Sequence, residues 1–184
     1  MYCGSSPGER PDYEDAAIRF AAELVSRGLE LVYGGARKGI MGILADAVLE
    51  RGGSVYGVMP HSLVRKEIAH GGLTELHVTE TMHERKAMMA EMADGFVALP
   101  GGFGTLEEII EMLTWGQLGF HRKPCGVLNV AGYYDRLGSF MEHAEREGFV
   151  KPAHRAMPLI ADDASSLLER FDAYDAPAVA KWRD

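Results

Sequence analysis

With 184 residues, 47% of them hydrophobic and 25% charged, the chain has the makeup of a soluble globular protein about one domain in size. Nineteen basic against 27 acidic residues leave a formal net charge of -8, which argues against a protein that coats nucleic acid. No apolar run is long enough to span a bilayer and no signal-peptide pattern opens the chain, so neither a membrane nor a secretory route is expected.

Strand-like and helix-like segments alternate from the first residue. Met1-Tyr2-Cys3 reads as a strand that is short for the centre of a sheet, running into the turn Gly4-Ser5-Ser6-Pro7-Gly8. Tyr13 to Arg27 predicts a helix stopped by Gly28, and Leu29 to Tyr33 a strand followed by the tight turn Gly34-Gly35. Ile40 to Glu50 predicts a helix, Val55 to Met59 a strand, and His61 to Gly72 an irregular loop suited to function. A strand over Leu73 to Val78, a helix over Met82 to Ala93 and a strand over Gly95 to Leu99 follow. Beyond a glycine-rich turn, Leu106, Ile109, Ile110 and Leu113 share one stripe of a helix. Gly126 to Val130, Tyr133 to Glu147, Pro158 to Ala161 and Ala164 to Phe171 complete the alternation, and the tail from Ala173 has little pattern. This order predicts an α/β fold: a single doubly wound, Rossmann-like parallel sheet flanked by helices, spanning 1–184 as one domain.

The most informative stretch is Pro100-Gly101-Gly102-Phe103-Gly104-Thr105-Leu106-Glu107-Glu108. A strand, a glycine-rich turn and a helix start make an anion site, because the first helical N–H groups lack intrahelical partners and glycines admit close approach. Two glutamates in the same turn suggest chemistry on a phosphorylated molecule, away from its phosphate. The competing reading is a capping box between Thr105 and Glu108, which needs no ligand.

Basic residues come in pairs: Arg37-Lys38, Arg65-Lys66, Arg85-Lys86 and Arg122-Lys123. The first three follow predicted strands or open the next helix, which gathers them at one edge of a parallel sheet. Arg85-Lys86 lies near a helix N-terminus, against the preference set by the dipole; Glu80 and Glu84 could offset the two charges. The methionines of that helix, Met82, Met88, Met89 and Met92, read as core or subunit-interface surface. Cys3 and Cys125 show no CxxC pairing and read as buried reduced thiols, pointing to the cytoplasm. The seven histidines show no metal-ligand spacing, so no metal is expected. GxGxxG, Walker and GxSxG motifs are absent. Anion cradle, carboxylate and cation together suit cleavage at the anomeric carbon of a phosphorylated sugar.

Pro100 to Glu108 resembles the PGGxGTxxE motif of the Lonely Guy (LOG) family, cytokinin riboside 5'-monophosphate phosphoribohydrolases. Met82-His83-Glu84-Arg85-Lys86 is similar to the family's M-H-x-R-K motif. Cys3-Gly4-Ser5-Ser6 and Tyr33-Gly34-Gly35 through Gly39-Ile40-Met41-Gly42 resemble its first two βα turns, with Ala36 in place of a third glycine. The resemblance implies hydrolysis of the N-glycosidic bond of an adenosine 5'-monophosphate, plain or N6-modified, to free base and ribose 5-phosphate, with no cofactor. It implies Arg85 and Glu108 as the catalytic pair. Gly34, Gly35, Glu67, Lys86, Gly101, Gly102, Phe103, Gly104, Thr105, Leu106, Glu107 and Thr114 would contact the nucleotide. It also implies a homodimer with the site near the interface. The label "lysine decarboxylase" that the family has carried does not suit this chain, since no lysine stands out as a Schiff-base anchor. The alternative is a nucleotide or cofactor carrier on the same fold, which would need the cradle but not the catalytic pair.

Overall fold

The computed structural model describes residues 1–64, 66 and 68–177. In chain order these are α1 (Pro11–Ser26), β1 (Leu31–Tyr33), α2 (Gly39–Leu49), β2 (Val55–Pro60), α3 (His61–Val64) and β3 (Glu75–Thr79). They continue with α4 (Met82–Met92), β4 (Phe96–Ala98), α5 (Phe103–Leu118), β5 (Cys125–Leu128), α6 (Asp135–Arg146), α7 (Pro152–Arg155), β6 (Pro158–Ala161) and α8 (Ala164–Asp172).

All strand pairs are parallel. β1, β2 and β3 form one half of the sheet, with Leu31 opposite Val55 and Tyr56 opposite Glu75. β4, β5 and β6 form the other, with Phe96 opposite Cys125 and Cys125 opposite Pro158. The opening residues join the halves: Tyr2 bridges Ala98 in parallel, and the Met1 nitrogen donates to the Val32 carbonyl at 2.8 Å. The resulting order, β3-β2-β1-(1–3)-β4-β5-β6, is the doubly wound arrangement, whose switch point lies beside the opening segment.

Alternation along β4 separates the two faces. Val97 and Leu99 join the core under α1, α2 and α8, with Phe20, Leu44, Val48 and Leu167. Phe96 and Ala98 join the core under α4 and α5, with Met89, Ile109 and Met112. The helix ends are specified locally. Pro11 stands at the start of α1. At its end Gly28 takes φ +67°, and N–H groups of Gly28 and Leu29 reach back to the carbonyls of Val25 and Leu24, a Schellman closure.

The segments departed from expectation in five places. The first strand reduces to one bridged residue, Tyr2. The helix expected from Tyr133 starts at Asp135, because a 3₁₀ turn over Val130–Gly132 occupies the preceding chain. The loop 61–72 holds the short α3, and α7 was not foreseen. In α5 the buried line is Thr105, Ile109 and Met112, which leaves Ile110 exposed rather than on the core stripe. A cleft of about 700 Å³ opens at the amino-terminal ends of the strands, lined by Phe20, Leu24, Leu31, Gly95, Leu168 and Phe171 among others, and contains none of the candidate site residues. Among the described residues, no helix is long and apolar enough to cross a membrane.

Candidate active site

The site forms at the carboxyl ends of the strands, around the switch point. There the Gly4 amide donates to the Pro100 carbonyl at 3.1 Å, tying the first βα turn to the turn before α5. Helix α5 begins at Phe103 with Gly102 as its N-cap, and no side chain caps it. Thr105 is therefore the third helical residue, buried rather than capping. The capping box of the competing reading, between Thr105 and Glu108, is not formed. The capping box stands instead on α4: Thr81 Oγ1 accepts from the Glu84 amide (3.1 Å), and the Glu84 carboxylate accepts from the Thr81 amide (3.4 Å). Glu84 also accepts from the Glu80 amide at 2.9 Å.

With Glu84 so engaged, the neighbouring cations turn to α5. Arg85 donates to Glu108 Oε1 at 2.5 Å and, through Nε, to the Val58 carbonyl of β2 at 2.9 Å. The two side chains are only 11% and 13% exposed. Lys86 Nζ lies 2.5 Å from Glu107 and 3.0 Å from Glu111. Burial alone would lower the Lys86 pKa, but hydrogen bonds to Glu107 and Glu111 raise it above the ordinary lysine value. Glu111 escaped the motif reading, although its place one turn after Glu107 puts both on one helix face. Thr114 lies on that face one turn further on, yet its hydroxyl donates to the Ile110 carbonyl (2.7 Å) within the helix.

The glycines divide by what surrounds them. A Cβ on Gly34 would stand 2.5 Å from the Arg85 guanidinium, so the turn after β1 is bare to admit that side chain. Gly35 takes φ +76° against the backbone of Gly57. A Cβ on Gly101 would collide with Thr105 Oγ1, so this glycine serves packing. Gly102 and Gly104 have nothing within 4 Å of such a Cβ and border open space. Phe103 is 94% exposed; Leu106 packs partly buried against the core under α4 and α5. Ser5 and Ser6 are exposed. Glu67 lies outside the described residues.

Two tyrosines were missed because helical periodicity absorbed them. Tyr133 Oη donates to the Gly101 carbonyl (2.6 Å), and Tyr134 Oη to the Leu99 carbonyl (2.7 Å). Of the basic pairs, Arg37-Lys38 is exposed at the start of α2 and Lys66 is exposed in its loop, while Arg65 lies outside the described residues. Lys123 is structural: its ammonium sits on the carbonyls of Ala90 (2.8 Å) and Glu91 (3.4 Å), near the end of α4. The offset of Arg85-Lys86 by Glu80 and Glu84 is overturned, since both cations pair with α5.

Cys3 and Cys125 are buried, which pushes each thiol up to about 12 and leaves it inert as a nucleophile. Among the described residues, no three His, Cys, Asp or Glu side chains converge as a metal site requires. What the site offers is an uncapped helix N-terminus beside a carboxylate–guanidinium pair. The first suits an anion, and the second suits charge that develops on a substrate held there.

A family model described as "possible lysine decarboxylase" matches residues 41–171. Lys86 does not fit that description, since a Schiff-base lysine needs a lowered pKa and Lys86 is held charged by two carboxylates. A rice protein described as a probable cytokinin riboside 5'-monophosphate phosphoribohydrolase is 49% identical over 95% of this chain and 77% of its own length. A cytokinin riboside 5'-monophosphate phosphoribohydrolase of Arabidopsis thaliana is 47% identical over 95% of this chain and 81% of its own. Among solved structures, the molybdenum cofactor binding protein of Rippkaea orientalis superposes with a TM-score of 0.70 at 19% identity, covering 93% of each chain, a likeness of fold alone. Identity at that level to the plant proteins, over nearly the whole chain, places it: the chain belongs to the Lonely Guy (LOG) family.

Proposed function

We propose that this protein hydrolyses the N-glycosidic bond of an adenosine 5'-monophosphate, plain or N6-modified, releasing the free base and ribose 5-phosphate. The observation that carries the reading is the Arg85–Glu108 pair, drawn from two helices and almost fully buried beside an uncapped helix N-terminus. Taking two charges out of water is costly, and apolar residues of similar volume would hold α4 to α5 about as well. A pair of this kind at the carboxyl edge of the sheet therefore suits chemistry better than stapling.

In this reading the first amides of α5, with Gly102 and Gly104 leaving room, hold the 5'-phosphoryl group. Glu108 faces the ribose, where its negative charge stabilises the oxocarbenium character that develops at C1' and orients the attacking water. Arg85 fixes the Glu108 carboxylate and stabilises negative charge on the departing base. Lys86, Glu107 and Glu111 form the adjoining wall, with Thr114 further along the same helix face. No cofactor is called for.

A second copy of this chain is the partner we infer. Helix α6 has no fully buried side chain, and Phe140 on it is 61% exposed. Ile110 and Leu118 are exposed on α5, the helix that carries Glu108. The two reduced, buried thiols suit a cytoplasmic enzyme. The test is incubation with AMP and with isopentenyladenosine monophosphate, followed by chromatography for free base. Nucleotide bound without release of base would overturn the reading in favour of a carrier.

A further inference from the structure

Three successive carbonyls of the turn between β4 and α5 are each claimed by a donor. Tyr134 Oη holds Leu99 at 2.7 Å, the Gly4 amide holds Pro100 at 3.1 Å, and Tyr133 Oη holds Gly101 at 2.6 Å. The donor of Gly101 differs in kind from the other two. Tyr134 is buried and the Gly4 amide belongs to the backbone, whereas Tyr133 is 42% exposed. Nothing in core packing requires its hydroxyl.

The direction of that carbonyl matters because a peptide unit is planar and trans. The Gly101 C=O and the Gly102 N–H lie in that one plane and point in opposite directions. If the plane turned over, the oxygen would face whatever the N–H had faced. Between two glycines such a turn meets little steric resistance. An anion bound at the start of α5 would then meet a carbonyl oxygen in place of a donor.

The chain before α6 is built to deliver Tyr133 to this point. Ala131 takes φ 52°, a left-handed conformation costly for a residue with a Cβ. Asn129 locks the turn, its Oδ1 accepting from the Tyr134 amide (2.7 Å) and its Nδ2 donating to Asp135 (2.8 Å). The Tyr133 ring is held edge-on by Tyr13 (centroids 5.6 Å apart) and Tyr134 (5.0 Å).

We propose that Tyr133 is a positioning residue for phosphate recognition: its hydroxyl keeps the Gly101 carbonyl turned away, so that the Gly102 amide faces the phosphoryl group. This rests on the phosphoribohydrolase reading above. Tyr133→Phe removes the hydroxyl and keeps the ring contacts. It raises KM for AMP about three- to tenfold, the size of one neutral hydrogen bond, with kcat within about twofold. Affinity for ribose 5-phosphate, measured by calorimetry, falls by the same factor. An unchanged KM, or a loss confined to kcat, overturns the proposal, as does a lowered melting temperature with unchanged KM. If the wild-type protein releases no base, it is the hydrolase reading that fails, and ribose 5-phosphate binding then decides alone: weaker binding by Tyr133→Phe supports the proposal. Equal binding, or none by either protein, overturns it.

Discussion

Arg85 is gripped from two sides: Glu108 on α5 accepts from its guanidinium at 2.5 Å, and the Val58 carbonyl on β2 accepts from its Nε at 2.9 Å. The carboxylate is thereby held by a cation that is itself fixed to the sheet. Glu108→Gln keeps the shape and a hydrogen bond but loses the charge. Base release should fall by about 10²-fold or more, the scale of a lost charged catalytic group, while nucleotide binding changes only a few-fold. A lowered melting temperature with near-normal turnover would show the pair to be structural. Arg85→Ala should lose turnover as well; undiminished release of base would remove Arg85 from the mechanism.

Gly34→Ala probes the same grip from the other side. The added methyl carbon would stand 2.5 Å from the Arg85 guanidinium, the end of a flexible side chain, so the fold survives while the guanidinium shifts. Relieving that contact moves the guanidinium by about 1 Å, and a misplacement of that size costs about 10²-fold in rate. Steady-state kinetics beside a thermal melt should show lost turnover with little change in melting temperature.

Gly101 and Gly104 should respond in opposite ways. Gly101→Ala drives a methyl into Thr105 and the Gly4 amide, and should destabilise the protein before any ligand is added. Gly104→Ala meets nothing within 4 Å and sits in the first turn of a helix, where alanine is favoured by up to about 1 kcal/mol. Its melting temperature should hold or rise while nucleotide binding weakens. Normal binding by Gly104→Ala would show that no ligand approaches that backbone.

Lys86 carries a pH signature. Its pKa is raised in the folded state, so its contribution is fully present below the unfolded lysine value of about 10.4 and is lost as pH climbs through the folded value. Lys86→Met should be destabilised at neutral pH, because it leaves the partly buried Glu111 carboxylate without its partner. The gap to wild type should close in strongly alkaline denaturant melts; a constant gap would contradict the pairing.

Asp163 provides a control away from the site. It caps α8 by accepting from the Ser166 amide and hydroxyl, which lowers its pKa below the ordinary aspartate value. Its contribution is present above the unfolded value and is lost as pH falls through the lower folded one. Asp163→Ala should cost about 1 kcal/mol at neutral pH, vanish as a difference in strong acid, and leave turnover untouched.

β1 and β4 were legible as short apolar runs bounded by Gly28 and Gly34 and by Gly95 and Gly101, and the LOG motifs already brought Arg85 and Glu108 together. Other features were hidden for physical reasons. Thr105 and Glu108 have the spacing of a capping box, and only the start of α5 at Phe103 shows that Thr105 stands too late to cap. Glu111 lies beyond the nine-residue motif, and only the packing of α4 on α5 brings Lys86 within reach of it. Tyr133 and Tyr134 read as the first turn of an amphipathic helix, whereas a left-handed Ala131 turns both toward a loop some 30 residues earlier.

Both site cations, Arg85 and Lys86, already carry carboxylate partners, so neither offers an unbalanced positive field to an approaching nucleotide. The molecule as a whole bears -8. Encounter with a dianionic substrate is therefore uphill at long range, and dissolved salt, by screening that repulsion, should hasten capture rather than slow it.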